Sequence, residues 1–390
     1  MTRVFALLFL VFALTAAPAA WAQLGVPLPE VPGVGDVVGQ ANDLGQQVER
    51  PLQDLRRTQV RDLLRTHRRE LEADPSGMPI VRSQILGLGM SAASIEQARA
   101  AGFQIVRTDP LEGDTALVTL RAPAGMSTRR ALRRLREADP QGVYDFDHLH
   151  LESGAALGAV AFGQSSAAGG PRIGLIDSGV GDGVRVSVQR AFATETPVAG
   201  PHGTAIAGLL SSAAPGARIY AADIYGGAPT GGASSALARA LSWLASENVA
   251  VINVSLVGPR NRVVETIVAR LVARGFLIVA AVGNDGPAAA PLFPAAYDGV
   301  VGVTAVDARD RVLIEAGRGA QVDFAALGVQ GRVRGTSYAA PLVAARLAAN
   351  LPAPSPASAQ SAIAAARTQA RDLGARGRDD IYGYGLISAP

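Results

Sequence analysis

The chain has 390 residues, 48% of them hydrophobic, with a formal net charge of +3; at a mean hydropathy of +0.21 it carries ample apolar surface for a buried core, which excludes disorder as its default state. It contains no cysteine and no lysine, all 36 basic residues being arginine; this excludes disulfides, thiolate metal sites, a cysteine nucleophile, a serine-lysine dyad and Schiff-base chemistry. The pI near 9.6 reflects that arginine content: net charge is small and no nucleic-acid motif is present, so no nucleic-acid partner is expected.

In chain order, Arg3, an apolar run from Val4 to about Leu14 and then Ala20-Trp21-Ala22 form the n-region, h-region and small-residue cleavage site of a secretory signal peptide over residues 1–22. The run is shorter than the roughly 20 residues of a bilayer span. Export to a periplasm or the extracellular space is expected, with no stable membrane span. Residues 23–79 begin Pro/Gly/Val-rich and continue as a basic amphipathic helix, in which Leu52, Leu55, Val60, Leu63, Leu64 and Leu71 recur at helical spacing beside Arg56, Arg57, Arg61, Arg65, Arg68 and Arg69. The arginine face is expected in solvent and is assigned no function.

Over residues 80–151 short apolar runs alternate with helical segments: Ile85–Leu88, Ser91–Ala101, Phe103–Arg107, Ala116–Arg121, Ser127–Ala138 and Val143–Leu149. That is the β-α-β-β-α-β order of a small α+β ferredoxin-like domain. His148 and His150 fall on one side of its last strand. Lacking a third ligand nearby, they favour a structural role over a metal pair, and no metal or cofactor is expected. Residues 152–170, rich in Ala, Gly and Ser, suit a flexible linker that a protease can enter, and processing is expected there or just before it.

Residues 171–390 alternate strand-like and helix-like runs, which predicts an α/β domain with a largely parallel β-sheet flanked by helices. Runs such as Val249–Ile252 and Phe276–Ala281 are continuously apolar, as strands covered on both faces must be. Functional groups then belong at the carboxyl ends of strands. Asp177-Ser178-Gly179 ends the first strand, His202-Gly203-Thr204 opens a helix-like run, and Gly335-Thr336-Ser337-Tyr338-Ala339-Ala340-Pro341 opens another. A serine hydroxyl is a weak nucleophile at neutral pH and needs an imidazole to take its proton and a carboxylate to orient that imidazole. Pro341 inside a helical run costs about 3 kcal/mol in an ordinary helix, so the string around Ser337 is improbable by chance.

These segments, with Ala281-Val282-Gly283-Asn284-Asp285-Gly286-Pro287 between His and Ser, resemble the subtilisin-like serine proteases over roughly residues 171–390. The resemblance implies a triad of Asp177 as orienter, His202 as base and Ser337 as nucleophile, with the Asn284 side chain in the oxyanion hole. It further implies that Ser255, Leu256, Val257 and Gly258 pair with extended substrate backbone; Val257 stands where the family usually has glycine, and Tyr338 where it usually has methionine. By position and pattern, residues 80–151 are similar to the family's chaperone and inhibitor pro-domain. The expected function is an exported, self-processed serine endopeptidase acting on protein or peptide substrates, with its own pro-domain as a partner in cis. The alternative is a pro-domain-inhibited or non-catalytic peptide-docking scaffold. The segment Ser211 to Gly216 leaves no room for the calcium loop of many subtilisins, so no calcium is expected there.

Overall fold

A computed structural model describes residues 56–153, 155–156, 169–331 and 333–388. The expected signal peptide, the Pro/Gly/Val-rich stretch and most of the 152–170 linker lie outside the described residues. Residues 56–66 form helix α1, with Val60 buried and Leu63 and Leu64 half-buried on one face, as the sequence pattern requires.

A five-stranded antiparallel sheet follows: β1 (Leu71–Ala73), β2 (Pro79–Leu88), β3 (Gln104–Leu111), β4 (Thr115–Arg121) and β5 (Val143–His148). Its main order is β5-β2-β4-β3, with β1 added beside the start of β2. Helices α2 (Ala92–Ala100) and α3 (Thr128–Ala138) complete the β-α-β-β-α-β unit. The sheet starts earlier than its expected boundary at residue 80, because β1 lies in the basic segment. Ser91 and Ser127 cap the two helices by accepting backbone N–H groups. On α3, Thr128, Ala131, Leu132 and Leu135 are buried while Arg129, Arg130, Arg133 and Arg134 are exposed, the two faces of a 3.6-residue period.

The second sheet has seven strands, all parallel: β8 (Arg172–Asp177), β9 (Val188–Ala191), β10 (Arg218–Asp223), β11 (Val251–Val254), β13 (Leu277–Ala281), β14 (Val301–Val306) and β15 (Phe324–Leu327). Its order is β15-β14-β13-β11-β8-β10-β9. Alternate side chains go to opposite cores. Ile173, Leu175, Val251, Leu277 and Val279 meet α4 (Pro201–Ala213) and α7 (Thr336–Ala348), whereas Ile176, Ile252, Val254 and Ile278 meet α5 (Ser234–Ser246) and α6 (Arg262–Ala273). Strands buried on both faces explain the continuous apolar runs. Helix α8 (Pro356–Gln369) packs on α7 through Ala359, Ala362 and Ala366; β9, β15 and α8 were not anticipated from the sequence.

The two units share a core. Leu86, Leu88, Leu111 and Leu117, on the sheet face turned away from α2 and α3, pack among Leu237, Leu241, Val263 and Ile267 of α5 and α6. Each such burial contributes about 1.5–3 kcal/mol. Between the sheets the chain crosses the large unit in two short pieces: β6 (Leu151–Glu152) pairs antiparallel with β12 (Leu256–Val257), and β7 (Ala155–Ala156) pairs antiparallel with β17 (Val333–Arg334), itself paired with β16 (Val329–Gln330). The start of the expected linker is therefore paired strand.

Candidate active site

Asp177, His202 and Ser337 arrive from three elements at one edge of the parallel sheet. Asp177 is the last residue of β8, His202 lies in the first turn of α4, and Ser337 in the first turn of α7. All three are buried. His202 Nδ1 lies 2.9 Å and 3.0 Å from the two carboxylate oxygens of Asp177. The carboxylate is held in turn by the N–H of Ser178, which donates to Oδ1 at 2.8 Å. The Ser178 hydroxyl accepts the N–H of Gly203 at 3.0 Å, and so caps α4. The turn requires Gly203, since a Cβ there would stand 2.1 Å from the Ser178 carbonyl oxygen. Burial lowers the basicity of His202, but the charge and hydrogen bond of Asp177, with the charge of Glu152 behind them, outweigh it and raise the imidazole above its ordinary value.

Ser337 is placed by the proline that looked anomalous in sequence. Pro341 has no N–H for the carbonyl of Ser337, four residues earlier. That carbonyl instead accepts the Ser255 hydroxyl at 3.0 Å, and Ser255 accepts from Asn253 Nδ2 at 2.9 Å. The Ser337 hydroxyl donates to the Ser255 carbonyl at 3.0 Å, while Nε2 of His202 is buried without a hydrogen-bond partner. The Ser337 hydroxyl therefore makes no hydrogen bond to His202 in this arrangement, and catalytic contacts are often loose before the reacting complex forms. Tyr338 packs its ring 5.5 Å from the His202 ring.

Asn284 follows β13. Its Oδ1 accepts the N–H of Thr336 at 3.0 Å, which aims Nδ2 into the cleft, where it donates to the Ser153 hydroxyl at 2.9 Å. Thr336, quoted in the sequence only as part of a string, is a further member of the site: its Oγ1 accepts the N–H of Gly283 at 3.2 Å and lies 3.4 Å from Ser153 Oγ. Ser255, Leu256 and Val257 form the wall on which the chain's own tail lies, with Ser153 N–H donating to the Ser255 carbonyl at 3.3 Å. Gly258 lies under the His150 ring. Glu152, Asp177 and His202 offer ligand atoms within 4.8 Å of one another, but both Asp177 oxygens are already committed to His202.

Residues of α1, to which the sequence reading assigned no function, also border the cleft. Arg56 of α1 makes a two-armed ion pair with Asp285, Nε to Oδ2 at 3.1 Å, and its Nη2 reaches the Val257 carbonyl at 3.5 Å. Gln59 and Leu63 of the same helix line a cavity with Leu151, Glu152 and Tyr225, so α1 roofs β6. The two histidines do not form a metal pair: His148 faces Asp74 and accepts from Asn261 Nδ2, whereas His150 faces Gly232. After α4 the chain turns through residues 214–217 directly into β10.

A sequence model of the subtilase family matches residues 193–385, and subtilisin DY of Bacillus licheniformis is 30% identical over 210 residues, 48% of this chain and 75% of the relative. The chain belongs to the subtilase family. The minor extracellular protease Epr of Bacillus subtilis is 29% identical over 241 residues, 55% of this chain and 37% of the relative. The chain spans 37% of Epr and 43% of subtilisin E from the same organism. Among solved structures, fervidolysin from Fervidobacterium pennivorans, described as a keratinolytic enzyme related to subtilisin, shares the fold with a TM-score of 0.64 at 17% identity over 80% of this chain and 60% of its own. Asp177 precedes the matched segment, so its place in the site rests on geometry.

Proposed function

We propose that the chain is a serine endopeptidase that cuts itself after Ser153 and is held inactive until its small unit leaves. The observation carrying this reading is the path of residues 151–156. β6 lies on β12 before Ser153 and β7 lies on β17 after Gly154, so the bond following Ser153 is bracketed by two strand pairings beside Asp177, His202, Asn284 and Ser337. In this reading His202 Nε2 takes the Ser337 proton as the hydroxyl attacks the Ser153 carbonyl carbon. Asn284 Nδ2 and the Ser337 N–H stabilise the oxyanion, and imidazolium then protonates the leaving amine. Water hydrolyses the acyl-enzyme by the same route.

Residues 80–151 act as inhibitor and folding partner, with residues 1–22 directing export; among the described residues no helix is long and apolar enough to cross a membrane. The Ser337 hydroxyl turned to Ser255, and the Asn284 amide engaged by Ser153, fit the inhibited resting form. Intact mass and N-terminal sequence of the wild-type chain beside Ser337→Ala, with fluorophosphonate labelling, test the reading. A wild type that begins at Gly154 and labels, beside an uncut and unlabelled variant, is expected. A wild type that stays uncut and unlabelled, also after its small unit has been removed by another protease, replaces this reading with the docking scaffold.

A further inference from the structure

His150 is the fourth residue before the proposed cut, counting Ser153 as the first, and the chemistry proposed above makes no use of it. Its side chain is fully buried. The backbone there is fixed from two sides: His150 N–H donates to the Gly232 carbonyl at 2.7 Å, and the Tyr225 hydroxyl donates to the His150 carbonyl at 3.0 Å. The imidazole Nδ1 lies 3.2 Å from that same Gly232 carbonyl. A carbonyl only accepts, so Nδ1 carries the proton. Nε2 is buried with no partner; as a bare lone pair it forfeits one hydrogen bond, whereas protonated it would be a charged donor with nothing to accept it. The ring also lies against Gly258, where a Cβ would stand 2.5 Å from Cδ2 and 3.0 Å from Nε2. Hydrogen-bond acceptor, flat floor and, among the described residues, no second acceptor together describe a socket for one tautomer of a neutral imidazole.

We infer that, beyond cutting itself, the protease selects protein substrates carrying a neutral histidine four residues before the cleaved bond, through the Gly232 carbonyl and the bare surface of Gly258. The inference rests on the protease reading, because a self-cleaving chain presents its own tail as a substrate. The charged and titratable groups acting on the ring are Arg56 from α1 and His148 from β5, with Tyr225 from the loop after β10 holding the adjoining backbone carbonyl. The first two belong to the part that leaves after the cut, so of these only Tyr225 remains to meet an incoming substrate. Burial, opposed by the Gly232 hydrogen bond and aided by His148 and Arg56, pushes the His150 imidazole down to about 3, so it is neutral at every pH at which the enzyme is expected to work. A substrate histidine arrives with its ordinary pKa of about 6.5 and loses the socket once protonated.

The test uses the full chain after self-cleavage, its active serine counted by fluorophosphonate, and internally quenched peptides spanning the sequence from Leu149 to Ala156. Three peptides differ only at the position of His150, carrying His, Ala or Phe. At pH 8 the His peptide is expected to show kcat/KM at least tenfold above both others. That ratio should fall towards one as pH drops from 7.5 to 5.5, since only the His peptide gains a charge. Taking the ratio cancels the titration of His202, which all three peptides share. Gly258→Ala should collapse the His-to-Ala ratio at pH 8. Ala or Phe peptides cut as fast as the His peptide by a labelled enzyme overturn the inference and leave the protease reading standing. A chain that never labels removes the protease reading, and the inference with it.

Discussion

The two sheets solve the same burial problem differently. The seven-stranded parallel sheet covers both faces with its own helices, α4 and α7 on one side and α5 and α6 on the other. The five-stranded antiparallel sheet covers one face with α2 and α3 and gives the other, through Leu86, Leu88, Leu111 and Leu117, to the large unit. The large unit therefore owns the scaffold that fixes Asp177, His202, Asn284 and Ser337, whereas the small unit completes its core only while docked. On the proposed self-cleaving reading that asymmetry matters: detaching the small unit would uncover leucines on both partners but leave the strand carrying Asp177 and the helices carrying His202 and Ser337 packed.

The largest expected effect lies wholly inside the large unit. Asp177→Asn keeps the shape of the side chain but no longer holds the His202 tautomer, and self-cleavage followed by intact mass should slow by about 10⁴-fold. A slowing of less than tenfold would detach Asp177 from the chemistry. The next pair of variants addresses the asymmetry itself, in the uncut Ser337→Ala background. Leu120 lies in the small unit's own core and Leu117 in the shared one, and both are fully buried. Either Leu→Ala change should cost about 2–5 kcal/mol. Hydrogen exchange should place the loss at Leu120 in β2, β3, β4 and α3, and the loss at Leu117 also in α5. Identical patterns would mean that the two units form one undivided core.

Much of the order of elements was legible because periodicity reports burial: the apolar runs of β11 and β13 announced strands covered twice, whereas β9, β15 and α8 gave no such signal. The candidate site was legible because its residues sit in short strings at strand ends and helix starts. The role of α1 was not. Its arginines read as a solvated face, and nothing within residues 56–66 signals that Arg56 meets a carboxylate 229 positions later. Nor does local sequence tell that the Ala/Gly/Ser-rich stretch after Leu151 pairs as strand, because the partners of β6 and β7 lie about a hundred or more residues downstream.

Arg56 sharpens the comparison, since it is a point where the small-unit side reaches the cleft by charge. The side chains of Arg56 and Asp285 are only 14% and 15% exposed. Removing the guanidinium leaves Asp285 with the burial that already raises its carboxyl and without the charge that offsets it. Arg56→Ala should weaken retention of the cut small unit by about 1–3 kcal/mol, which is roughly five- to 150-fold faster activation on dilution. Unchanged activation kinetics would make α1 a bystander, with the shared leucines alone holding the inhibitor.

The smallest effect concerns how the tail tunes the base it lies beside. Glu152 adds negative charge next to His202 and so contributes to raising its pKa, behind Asp177. His202 accepts a proton only when neutral, so self-cleavage should be slow below its raised pKa and quicken as pH rises through it. Glu152→Gln removes that charge while leaving Asp177, His202 and Ser337 in place, and the midpoint of the self-cleavage profile should move to lower pH. On the proposed reading Glu152 leaves with the small unit, so cleavage of peptides by the processed enzyme should not move. A shift in both profiles would place the effect in the fold of the large unit; a shift in the self-cleavage profile alone would make the small unit a regulator of the base as well as a plug in the cleft.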